Sequence, residues 1–269
     1  LTADRSLVYF FESGGRLSAL VLRGATTRLL ELGPAEAVGR EVQFHLFALQ
    51  RAGTRRRAQA GTGRSALGLD RLLVEPLMLE PGPVVIVPCA AVRDVRWLLL
   101  AALGGRDVAV TSSALAWVEA QRRSPIPPSP RVVLVSGPRL EPRNREVDQI
   151  ARLYPRVTSL VGAEATRGNV MAGFEQADII HIAAHGVFRE ESPMFSRIER
   201  VDGGLTVHDL ERLRELPSLV VLSACDAAAS RLYPSGGALG TASALTALGA
   251  RTVVAPVQPV LDSVTCEVM

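Results

Sequence analysis

The sequence contains no lysine: all 30 of its basic residues are arginine, set against 27 acidic residues for a net charge of +3. A surplus this small over 269 residues excludes the strong single-sign surface expected of a nucleic-acid binder. The only local cluster, Arg55-Arg56-Arg57, reads as a solvated loop. Cysteine is scarce. Cys89, Cys225 and Cys266 are an odd set without CxxC spacing, which argues against a disulfide framework and for reduced thiols in a cytoplasmic protein. Aromatic residues are only 4% of the chain, so alanine, leucine and valine must supply most of the core. No stretch reaches the roughly 18 to 20 apolar residues of a membrane helix. The first residues lack the basic-then-apolar order of a signal peptide, and no repeat of roughly 34 residues is present. The expectation is a soluble, cytoplasmic protein with no membrane or nucleic-acid partner.

What is there describes an ordinary globular chain, 48% apolar and 21% charged. Its length suffices for one large α/β domain with a small appendage. Residues 6–32 alternate and turn at Gly14-Gly15 and Gly24, predicting an antiparallel unit of strands LVYFFE, LSALVLR and TTRLLEL. Apolar spacing over 34–49 predicts a helix that crosses to the main sheet, so 1–50 reads as a β-hairpin unit with its crossover helix. Residues 51–68 lack periodicity and read as a flexible loop or linker. The main domain is expected over 69–269. It begins with strands VVIVPC and VAVTSS around a helix at about 94–103, and a Pro-rich break follows at 124–130. From RVVLVSGP onward, strand and helix alternate. This predicts an α/β fold: a mostly parallel sheet covered by helices on both faces, beside the small N-terminal hairpin unit.

Two stretches carry chemistry. ADIIHIAAHG and LVVLSACDA are apolar runs that end abruptly in small residues, as buried parallel strands do at their carboxyl ends. One delivers His185 and the other Cys225. Ligands and chemistry in open α/β sheets gather beyond those strand ends, so imidazole and thiol can meet in one crevice. A thiol of pKa about 8.5 needs a neighbouring base or cation to attack near neutrality, which a histidine provides. Gly186, without a Cβ, lets a substrate backbone approach, and its amide can point at a developing oxyanion together with that of Cys225. His181 invites a metal reading, but HIAAH lacks the zincin glutamate and sits on a strand, so a satisfied core histidine is expected. His45 and His208 read as ordinary helix residues.

HIAAHG followed by SPMFSRI, then GGLTVHDLERL, then LVVLSACDA resembles the CHAT family of caspase-like cysteine peptidases, relatives of caspases and separase. LVYFFESGGRLSALVLRG, VVIVPCAAVRDVRWLLL and GARTVVAPVQPVLDS extend the similarity over nearly the whole chain. The resemblance implies a caspase-like fold and a cysteine endopeptidase that cleaves a protein partner, without cofactor or metal. It implies a His185/Cys225 dyad, an oxyanion hole from the amides of Gly186 and Cys225, and regulation by an activating protein partner. Asp226 and Asp262 are candidates to line the substrate pocket, which would favour a basic or neutral residue before the cut. Their plainer alternatives are a loop cap for Asp226 and a helix N-cap for Asp262. The other functional reading is a catalytically silent scaffold on the same fold. Domains of this family continue for another helix or two, so the C-terminal end is expected to be incomplete.

Overall fold

Alternating apolar residues in β1 (Ser6–Ser13) and β2 (Arg16–Arg23) make an antiparallel hairpin in the computed structural model, with Leu7 opposite Leu22 and Phe10 opposite Ala19. The structure describes residues 4–54, 59–137, 145–184, 186–187, 197–200, 202–223, 231–232, 238–239 and 241–256. Gly14 and Gly15 close the hairpin at φ of 56° and 73°, the two-residue turn whose twist matches that of the strands and which requires positive φ at both positions. β3 (Thr26–Pro34) adds antiparallel to β2. Val8 and Phe10 enter one core with Leu17, Ala19 and Val21, and α1 (Ala35–Thr54) covers it through Val38 and Val42.

The chain divides into two compact units, Leu1–Ala114 and Leu115–Met269. In the first, the stretch expected as a loop carries the end of α1 and then helix α2 (Gln59–Leu69), whose Leu69 is fully buried. Composition disguised that helix, because alanine and glycine give no apolar stripe to read. β4 (Val84–Val87) is buried along its whole length and pairs parallel with both β1 and β5 (Val108–Val110), giving a mixed sheet of order β3-β2-β1-β4-β5. The hairpin strands and VVIV are therefore parts of one sheet. The helix expected at 94–103 is instead two short 3₁₀ turns, Trp97–Leu99 and Ala101–Leu103. Its buried residues Trp97, Leu100 and Leu103 recur every third position, the period of a 3₁₀ turn rather than of an α-helix. The buried Asp70 carboxylate accepts from the amides of Ala101 and Ala102 at 2.9 and 3.2 Å.

The second unit opens with all but the first residue of α3 (Ala114–Arg122) and alternates as expected: β6 (Val132–Ser136), α4 (Arg145–Ala151), β7 (Val157–Leu160), α5 (Arg167–Gln176), β8 (Ile179–Ala183). A small antiparallel sheet interrupts, formed by β9 (Gly186–Val187), β10 (Arg197–Arg200) and β11 (Gly203–Thr206), which the sequence reading missed. Then come α6 (Val207–Leu210), β12 (Leu219–Ser223), the short pair β13 (Arg231–Leu232) and β14 (Ala238–Leu239), α7 (Thr241–Leu248) and β15 (Thr252–Val254). The main sheet has the order β15-β12-β8-β6-β7, and all its pairings are parallel.

Successive side chains of a strand point to opposite faces, and both faces of this sheet are apolar. Val133, Val135, Ile180, Ile182, Val220 and Leu222 pack on one side with Val170 and Phe174 of α5 and Leu245 of α7. Val132, Leu134, Ile179 and Ala183 pack on the other with Val147 of α4. This is the expected α/β architecture, a parallel sheet covered by helices on both faces. Among the described residues, no helix is long and apolar enough to cross a membrane.

Candidate active site

β8 and β12 lie side by side and parallel, with Ile179 opposite Leu219, His181 opposite Val221 and Ala183 opposite Ser223. Both are buried apolar runs, and burial on two faces fixes their register, because a slip of one residue would turn each apolar set to the wrong side. The ladder continues past the strand ends: the Ala184 amide donates to the Ser223 carbonyl at 3.2 Å, and the Gly137 amide donates to the Ala183 carbonyl at 2.7 Å. His185 is the next residue after Ala184, and Cys225 follows Ser223 by two. His185 and Cys225 themselves lie outside the described residues, as do Asp226, Asp262 and Cys266. Gly186 is described as the first residue of β9, paired with Ile198 of β10.

His181 is the core histidine the sequence predicts, 4% exposed. Its partner is Glu146 of α4, equally buried, whose Oε1 accepts from His181 Nε2 at 2.5 Å. The other carboxylate oxygen accepts from Ser223 Oγ at 3.2 Å. His181 and Ser223 project from the same face of adjacent strands, as their register requires, and one glutamate bridges them. Nothing in the spacing of the sequence points to Glu146. The only signals are a histidine and a serine interrupting otherwise apolar strands.

A second polar knot holds the segment between the two strands. Thr206 caps α6, its Oγ1 accepting from the Asp209 amide at 3.3 Å, while the Asp209 carboxylate accepts from the Thr206 amide at 2.9 Å and its hydroxyl at 2.8 Å. This is a reciprocal capping box. Asp209 also pairs with Arg167 at the start of α5. Burial pushes the Asp209 carboxyl up, but the Thr206 amide and hydroxyl and the charge of Arg167 override it, leaving the group below its ordinary range.

Cys89 shows what an unassisted thiol looks like in this protein. It is half-buried in the first unit, and burial, only partly offset by neighbouring backbone amides, pushes its thiol up and away from the reactive thiolate.

A protein-family model for the CHAT domain matches residues 63–269. The chain belongs to the CHAT domain family. The fold agrees, for the CHAT chain superposes on separase in the crystal structure of the Saccharomyces cerevisiae separase–securin complex with a TM-score of 0.66, at 9% sequence identity. That match covers 98% of this chain and 27% of the separase chain, so it reports a shared caspase-like fold over a fraction of the larger protein. No curated protein matches the CHAT chain.

Proposed function

We propose that this CHAT domain is a cysteine endopeptidase with Cys225 as nucleophile and His185 as its acid and base. The observation that supports it most is the in-register parallel pairing of β8 and β12, which carries the main chain to Ala184 on one strand and to Ser223 on its neighbour. A parallel pair sends both continuations off the same edge of the sheet, the edge at which α/β enzymes place their chemistry. His185 accepts the thiol proton, and the thiolate attacks the scissile carbonyl. The amides of Gly186 and Cys225 hold the oxyanion as the tetrahedral intermediate forms. The C–N bond then breaks, and His185 gives its proton to the departing amine. Water deprotonated by His185 cleaves the thioester and restores the free thiol.

The substrate is a protein, with a basic or neutral residue before the cut read by Asp226 or Asp262. A carboxylate there would form a charge-assisted, bidentate pair with a substrate arginine. A protein partner regulates the site. The separase of the solved neighbour was captured in complex with securin, one precedent for a protein partner bound to a chain that contains this fold.

The test is an irreversible, thiol-directed peptidyl probe followed by peptide mass spectrometry. Labelling is expected at Cys225 and not at Cys89 or Cys266, and His185→Ala should abolish it. Equal labelling of the three cysteines, or cleavage of a protein substrate that survives in Cys225→Ala, would sink the assignment.

A further inference from the structure

We infer that Glu146 is a positioning residue for the proposed dyad, fixing the ends of β8 and β12 from which the chain runs on to His185 and Cys225. The inference rests on the cysteine-peptidase reading above. It starts from a buried carboxylate on α4 whose hydrogen bonds, among the described residues, run to two strands of the sheet. Glu146 is 4% exposed and divides its two oxygens between the strands: one accepts from His181 Nε2 of β8 at 2.5 Å, the other from Ser223 Oγ of β12 at 3.2 Å.

A buried carboxylate is costly to desolvate, and two apolar side chains would join these strands as well or better. What a carboxylate adds is direction. Each hydrogen bond fixes a distance and an angle, whereas apolar packing tolerates sliding. The bonded groups sit where direction counts. Ser223 stands two residues before Cys225, and its carbonyl accepts from the amide of Ala184, the residue directly before His185. One serine is thus tied by its side chain to α4 and by its backbone to the strand that leads to the histidine. The chain from Glu146 through Ser223 to Ala184 ends on the residue adjoining the catalytic imidazole. Catalytic pairs lose activity steeply with misplacement, so a brace at this point acts on chemistry more than on stability.

The brace predicts a change in the pH profile of the Cys225 thiol. Alkylation of the folded protein by iodoacetamide, followed over pH 5 to 9 and read cysteine by cysteine by peptide mass spectrometry, reports the thiolate fraction at each position. An ordinary thiol of pKa about 8.5 is only about 1% thiolate at pH 6.5, whereas a thiol paired with imidazolium is largely ionised there. Wild-type Cys225 is expected to react well ahead of Cys89 at that pH. Ser223→Ala removes one arm of the brace and leaves the His181–Glu146 pair in place. It should slow Cys225 alkylation at pH 6.5 by about tenfold as the thiol drifts back toward its ordinary value. Ser223→Thr keeps the hydroxyl and should restore the wild-type profile. Glu146→Ala should have the larger effect. Because it also strands His181 and can fail to fold, the serine pair carries the decision.

The two ways of failing are distinct. A wild-type Cys225 that titrates like Cys89 overturns the dyad and the brace together. A wild-type Cys225 with a lowered profile that Ser223→Ala leaves unchanged overturns the brace alone.

Discussion

The five-stranded sheet of residues 1–114 mixes antiparallel hairpins with parallel strands, so its strands run out at both edges. Every pairing in the main sheet of residues 115–269 is parallel, and all its carboxyl ends share one edge. The two units differ as well in how they treat buried polarity. In the first, the Asp70 carboxylate is bonded to two amides, but His45 Nε2 and Trp97 Nε1 are buried without a hydrogen bond among the described residues, and Trp97 serves as packing, stacked on Phe10 with centroids 5.3 Å apart. In the second, His181, Glu146 and Asp209 are each bonded, beside the ends of the strands that precede the candidate site or within the segment that joins them. A site that must hold two side chains in register needs directional bonds near it. A ring nitrogen left unmatched elsewhere costs stability but disturbs no bond beside those strand ends.

The sharpest way to break that contrast is to cut matching holes in the two cores. Phe10 and Phe174 are 2% and 1% exposed, and truncating either to alanine should cost about 3–5 kcal/mol in denaturant unfolding. Their effects on chemistry should part. Phe174 of α5 packs on the sheet that carries β8 and β12, so Phe174→Ala should blunt the low-pH reactivity of Cys225 even where the protein is still folded. Phe10→Ala, under the same conditions, should leave it within about twofold of wild type. Equal losses in both variants would mean that reactivity tracks global stability and not the local sheet.

The second unit was largely legible in the sequence because a strand buried on both faces is written as an unbroken apolar run. VVLVS, IIHIA and LVVLS announce themselves, and so do the turns that follow. Pairing is not written in the same way. VVIV reads as a strand, but nothing in its four residues says that it lies parallel to β1 in the hairpin's own sheet. The three-stranded sheet β9–β11 was missed because strands of two to four residues are too short to show a period. For the proposed site, residue types in the sequence nominate His185 and Cys225, which lie outside the described residues, while Glu146 was invisible, since its contacts come from where α4 sets it down.

A smaller test compares two glycines with nearly the same φ. Gly82 in the first unit has φ of 123°, and Gly249, just after α7 in the second, has φ of 120°. The left-handed region costs an L-residue about 1–2 kcal/mol in either place. They differ in what a Cβ would meet. At Gly249 it would meet the guanidinium of Arg123, the end of a flexible side chain that can swing aside. At Gly82 it would fall on the backbone carbonyl oxygen of Asp4, which can move only with the chain leading into β1. Gly249→Ala should therefore cost about 1–2 kcal/mol and Gly82→Ala about 3 kcal/mol or more. Equal losses would show that the hairpin edge of the first unit yields as easily as a side chain.

The smallest expected effect is a difference in acid sensitivity between the units. Burial, with the charge of Arg96 adding to it, holds the His45 imidazole below its ordinary value, so the ring is neutral in the folded protein. The unfolded chain takes up a proton on this residue as pH drops through about 6.5, while the folded chain does not. The first unit therefore loses stability from about pH 6.5 downward, until the lowered folded value is reached. The carboxylates of the second unit behave otherwise. Asp178 is held low chiefly by its hydrogen bond to Arg131, and Asp209 is low despite its burial because of Thr206 and Arg167. Their contribution is full above the unfolded value of about 3.9 and is lost only as pH falls further, through their folded values. Between pH 7.5 and 5 the decline should thus come from His45 rather than from these carboxylates. Urea midpoints measured across that range should fall for the wild type and flatten in His45→Gln, which keeps a side chain able to bond Ser65, now 2.9 Å from His45 Nδ1. If His45→Gln follows the wild-type slope, mild acid acts on some other group and the buried, half-satisfied histidine is not the weak point of the first unit.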